Sequence, residues 1–81
     1  TGEPHIHNHD VTETEVEEVL ARPGEDRPGA DGARVAAGQS SAGRYLRVVY
    51  VAETGGVFVI TAYDLRGKAL LAYRRRRRRK R

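Results

Sequence analysis

Eight consecutive basic residues, Arg74 to Arg81, close this chain, and three histidines stand near its start at His5, His7 and His9. Between them lie Arg47 in a valine-rich run, the adjacent Tyr63 and Asp64, and Lys68 two residues after Arg66. A guanidinium run neutralises phosphates and adds affinity without reading sequence. Arg44, Arg47, Arg66, Lys68 and Arg74 are the side chains able to fix a phosphate at one point. Arg47 is the most informative of them, because an arginine held in a strand can contact phosphate bidentately. The plainer reading of Arg47 is an exposed sheet face whose aliphatic stem covers apolar surface. His9, Tyr63, Asp64 and Tyr73 are the acid–base candidates, although Tyr73 suits a core and Asp64 suits an ion pair or helix cap. An extended HIHNH segment would put its three imidazoles on one side, as a metal requires. No carboxylate is placed to orient them, so the stretch reads as a polar lead-in, and no metal or other cofactor is expected.

These residues need elements to hold them. VTETEVEEVL (11–20) is a helix start: Thr12 caps, Glu15 completes a capping box, and Val11 staples onto Val16. Val16, Val19 and Leu20 form the apolar stripe, and Pro23 predicts an end near Ala21. RPGEDRPGAD (22–31) repeats Arg-Pro-Gly-x-Asp, which predicts two successive turns in an exposed loop. Its sharper reading makes Arg22 and Arg27 matched ligand contacts. ARVAAGQ (33–39), RYLRVVYVAE (44–53) and GVFVITAYDL (56–65) are strand candidates, the last two joined through Thr54-Gly55-Gly56. Their register stays open, and a slip of one residue would exchange the faces. Residues 66–76 predict a helix with Leu70 and Tyr73 on the sheet, fraying where like charges crowd at i and i+4. The expected fold is α+β, a small antiparallel sheet flanked by an N-terminal and a C-terminal helix, with residues 1–73 as one domain and 74–81 as a basic tail.

The charge is divided the same way. Residues 1–73 hold seven Lys+Arg and eleven Asp+Glu, so the body is −4, the tail +8 and the whole +4. Such asymmetry points to a polyanionic partner. Eighty-one residues support one small core, which leaves room for help from a homodimer. No Cys excludes disulfides and thiolate metal sites. No apolar run approaches the roughly 20 residues of a membrane span, and TGEPHIHNH lacks the apolar core of a signal peptide, so a cytoplasmic protein without a membrane partner is expected.

Three stretches together resemble a known family. His9-x-Val11-Thr12-x-x-Glu15-Val16-x-Glu18-Val19-Leu20-x-x-Pro23 is similar to the N-terminal helix of BrnT-type toxins, within the RelE/ParE-like group of bacterial toxin–antitoxin systems. Gly38-Gln39-Ser40-x-x-Gly43-Arg44-x-Leu46-x-Val48-Val49-Tyr50 resembles that family's second motif. Val59-Ile60-Thr61-Ala62, followed by Tyr73 and a basic end, resembles its third. The resemblance spans most of residues 9–81 and implies a compact sheet with flanking helices, metal-independent RNA cleavage and an antitoxin protein as partner. Such cleavage needs a base, an acid and fixed positive charge on the phosphate. On that basis Arg47, His9, Lys68 and Tyr63 are the catalytic candidates. Arg44, Arg66, Arg74, Arg75, Arg76, Arg77, Arg78, Arg79, Lys80 and Arg81 are the nucleic-acid-binding ones. Tyr63 stands where the family commonly has Arg, and Ala69 and Leu70 stand where it has a Glu-Arg pair. Those departures open a second reading: a non-catalytic nucleic-acid-binding or interaction domain on the same fold.

Overall fold

Helix α1 (Glu13–Ala21) begins at the cap its residues dictate. The Glu15 backbone N–H donates to Thr12 Oγ1 at 3.1 Å, and the Thr12 N–H donates to Glu15 Oε1 at 3.3 Å. The expected staple is present, with Val11 and Val16 both buried in one apolar cluster. The helix closes on Arg22, whose N–H donates to the Glu18 carbonyl, and Pro23 blocks a further turn. The structure, a computed structural model, describes residues 11–78 and the backbone of Arg79. His5, His7, His9, Lys80 and Arg81 therefore lie outside the described residues.

Four strands follow, β1 (Glu25–Pro28), β2 (Arg34–Gln39), β3 (Tyr45–Glu53) and β4 (Gly56–Asp64), in an antiparallel sheet of order β1-β2-β3-β4. The two-turn expectation for residues 22–31 is corrected by β1. The chain reverses only after Pro28, with the Gly29 N–H donating to the Ala33 carbonyl. The first Arg-Pro-Gly bends at Arg22 and Gly24 to lead the chain into the sheet, where the Gly24 N–H donates to the Ala37 carbonyl at 2.8 Å. Strand β1 has no apolar alternation; distant side chains hold it. Asp26 accepts from Arg34 Nε at 2.9 Å and from Tyr50 Oη at 2.6 Å, and Glu25 is clamped by Arg76. These bonds hold the Asp26 carboxyl below its ordinary range, Tyr50 first and Arg34 second, and push the Tyr50 phenol up.

Neighbouring strand residues face opposite ways, and the core divides accordingly. Ala36, Leu46, Val48, Tyr50 and Ala62 pack beneath Val16 and Val19 of α1. Ala37, one residue from Ala36, joins Leu65 and Tyr73 on the other face, under helix α2 (Gly67–Arg79), with Tyr45 and Leu70 beside them. Leu70 and Tyr73 thus meet the sheet as their spacing predicts. The helix does not fray where expected; it continues through the arginines to Arg79. Its inward cations are occupied. Arg76 is paired with Glu25, and Arg77 Nη1 donates to the Gly24 carbonyl at 3.0 Å. Cations also suit the negative end of a helix dipole. Among the described residues no helix is long and apolar enough to cross a membrane.

Candidate nucleic-acid interface

Helix α2 rests on the Pro23–Gly24 corner, and the corner is shaped for it. A Cβ on Gly24 would lie 1.9 Å from Tyr73 Oη, so glycine is what lets the hydroxyl end of the ring approach the backbone. Tyr73 is 4 % exposed and meets Tyr45 edge-on, with ring centroids 6.1 Å apart at 69°. Arg74 sets its guanidinium 5.8 Å from the Tyr45 centroid, a cation–π distance. A cleft of about 590 Å³ opens here, lined by Arg22, Pro23, Gly24, Gln39, Tyr45, Tyr73, Arg74, Arg77 and Arg78. Burial pushes the Tyr73 phenol up, so it stays protonated near neutrality.

Tyr73 also lines a second, smaller cleft of about 210 Å³ with Glu25, Arg27, Pro28, Val35, Ala37, Arg47, Leu65 and Arg76. Glu25 is the one carboxylate of this group, and the Arg76 hydrogen bond holds it below its ordinary range. Arg47 is half-buried and sits opposite Tyr63 in the β3–β4 register. Its Nη1 reaches Tyr63 Oη at 3.5 Å, a long contact, while its buried Nε has no hydrogen-bond partner among the described residues.

The remaining candidates divide by face. Arg44 binds Asp64 through Nε at 2.8 Å and Glu15 through Nη1 at 3.1 Å, on the α1 side of the sheet. Arg66 donates to the same Asp64 at 2.8 Å. The Arg44 bond first, then that of Arg66, holds the Asp64 carboxyl below its ordinary range. This corner is an ion-pair network close to neutral, and the Asp64–Lys68 pairing offered by the sequence is replaced by it. Lys68 is exposed in the first turn of α2. Of the catalytic candidates, the structure brings Arg47 and Tyr63 together. Among the described residues Arg74, Arg75, Arg77 and Arg78 make no ion pair with a carboxylate.

Sequence reasoning missed Gly24, Gln39 and Tyr45 as lining residues. The repeat reads as an exposed loop in preference to matched contacts by Arg22 and Arg27; the two arginines line different clefts, and the strand that separates them was not legible. No protein-family model matches the chain, and neither a curated protein nor a solved structure is significantly similar to it.

Proposed function

We propose that this domain binds single-stranded RNA by its phosphates, along the larger cleft between α2 and the Pro23–Gly24 corner. One observation carries the reading: the cleft gathers Arg22, Arg74, Arg77 and Arg78 around two tyrosines, with no carboxylate among its lining residues. Basic grooves with aromatic walls track a nucleic-acid backbone while bases stack on rings, a combination tolerant of sequence. The inward arginines seat the helix, and the outward ones stay open to phosphate. The α+β order, helix, antiparallel sheet, helix, agrees with what the resemblance to BrnT-type toxins implies, and so supports placing the domain in that bacterial group with an antitoxin as its protein partner. Arg44 and Arg66 drop out of the binding surface in this reading, because Asp64 and Glu15 already neutralise them.

Fluorescence anisotropy with a labelled oligoribonucleotide over a salt series is the test. Each phosphate contact on a single strand contributes about 0.7 to the salt slope. Arg74→Gln with Arg78→Gln should therefore flatten the slope by roughly 1.4. Arg44→Gln with Arg66→Gln should leave it unchanged. An effect from the second pair and none from the first would move the interface to the α1 face and overturn the proposal.

A second reading, RNA cleavage, is favoured by the meeting of Arg47 and Tyr63 beside the smaller cleft. Arg47 would hold the phosphate undergoing transfer, with His9 supplying the base. Expression should then inhibit growth, and Arg47→Ala should relieve the inhibition while leaving the melting transition cooperative. RNA left intact by the wild-type chain, with and without ribosomes, would reduce the function to binding.

A further inference from the structure

Among the described residues the two edges of the sheet are built differently. Strand β1, at one edge, is four residues long, reads Glu-Asp-Arg-Pro, and so carries the charges and proline that deter pairing with another chain. Strand β4, at the other edge, is nine residues long and has neither charge nor proline from Gly56 to Tyr63. Four large apolar side chains are exposed among the described residues, and three are on β4: Val57 at 52 %, Phe58 at 63 % and Ile60 at 38 %. A long uncharged edge with its own apolar patch is a template for another strand.

We propose that β4 pairs with β4 of a second copy of this chain, antiparallel about a two-fold axis near Val59 and Ile60, joining two sheets into one of eight strands. The side-chain pattern is self-complementary. Opposite β3, Val49 pairs with Thr61 and Tyr50 with Val59, so Ile60 is the extra residue of a bulge. The bulge reverses the facing of residues 57–59. Val57 thereby shares a face with Ala62, and Phe58 shares the other with Thr61. An antiparallel pair then opposes Val57 to Ala62 of the second copy and Phe58 to Thr61, matching faces throughout. Asp64 lies beyond these pairs, so no carboxylate meets a carboxylate across the seam.

Charge does not bar this occupant. Two chains of net +4 repel, yet α2 crosses the sheet so that Arg76 reaches Glu25 and Arg77 reaches Gly24, at the β1 edge. Pairing through β4 holds the basic helix ends at the far sides of the dimer, with the clefts open. A cationic or acidic peptide would find no counter-charge on residues 56–63.

Sedimentation equilibrium in high salt, with nucleic acid removed, reads the result. The wild-type chain should be a dimer, and Ile60→Lys should raise the dissociation constant more than about tenfold. The chain has no cysteine, so Ile60→Cys provides a unique thiol beside its own copy. It should form a disulfide-linked dimer rapidly under mild oxidation. Ala42→Cys, in the exposed β2–β3 turn, should not. A wild-type monomer at all concentrations, a dimer indifferent to Ile60→Lys, or equal cross-linking at both positions would each overturn the proposal. If Ile60→Lys fails to fold, as circular dichroism would show, the cross-linking pair decides.

Discussion

Gly24→Ala is the sharpest probe of whether α2 is seated where the interface requires. A Cβ there would stand 1.9 Å from Tyr73 Oη, 2.9 Å from Cζ and 3.2 Å from Cε1. Carbon atoms in good contact sit about 3.5–4.0 Å apart, so the ring must withdraw by an ångström or more. It has nowhere easy to go, being 4 % exposed and held by Tyr45, Leu70 and Leu65. Overpacking of this kind costs about 1–3 kcal/mol. For a domain of this size each kcal/mol lowers Tm by roughly 4–8 °C. Thermal unfolding followed by far-ultraviolet circular dichroism should thus show a drop of roughly 4–24 °C for Gly24→Ala. Tyr73→Phe removes the atom that clashes most. The Tyr73 hydroxyl makes no hydrogen bond among the described residues, so the single change should cost within about 0.5 kcal/mol. Combined with Gly24→Ala it should recover a large part of the loss, a coupling on the order of 1 kcal/mol. If the proposed cleft binds RNA, affinity should follow the same order, because the helix that carries Arg74, Arg77 and Arg78 moves with the ring. A Gly24→Ala protein that melts with the wild type, or shows no coupling to Tyr73→Phe, would refute the placement of α2.

Two further outcomes follow from the local chemistry. Glu25, Asp26 and Asp64 all have folded-state pKa values held below the ordinary range by Arg76, Tyr50 with Arg34, and Arg44 with Arg66. A carboxyl whose folded value is lowered stabilises above its unfolded value and loses that contribution as pH falls through the folded one; Tm should accordingly be level from pH 7 to about 5 and decline below about pH 4. A double variant with Glu25→Gln and Asp64→Asn should start lower and decline less steeply. Thr12→Ala, which removes the capping acceptor of the Glu15 N–H, should cost about 1 kcal/mol in chemical denaturation with an unchanged denaturant slope. A loss below about 0.3 kcal/mol would mean that the staple of Val11 on Val16 alone sets the helix start.

The sequence by itself determined the features that rest on neighbours in the chain. Thr12 and Glu15 lie three residues apart, and the box they form is complete within one helical turn. Gly55, in the positive-φ region at 90°, and the β-branched runs on either side specify the β3–β4 hairpin locally. Leu70 and Tyr73 announced the inward face of α2 by spacing alone. Tertiary structure decided what depends on residues far apart. Strand β1 exists because Asp26 meets Arg34 and Tyr50, and Glu25 meets Arg76 fifty-one positions away; no window around EDRP contains those partners. The arginine run stays helical because its inward members find Glu25 and the Gly24 carbonyl. A bulge at Ile60 chose which of Val57, Phe58 and Val59 face the core. Arg44 and Arg77 are the same residue type, yet Arg44 is neutralised by Asp64 and Glu15 while Arg77 lines the cleft. Residue type set the charge of each, but only the fold set its neighbours, and Coulomb attraction acts across space rather than along the chain.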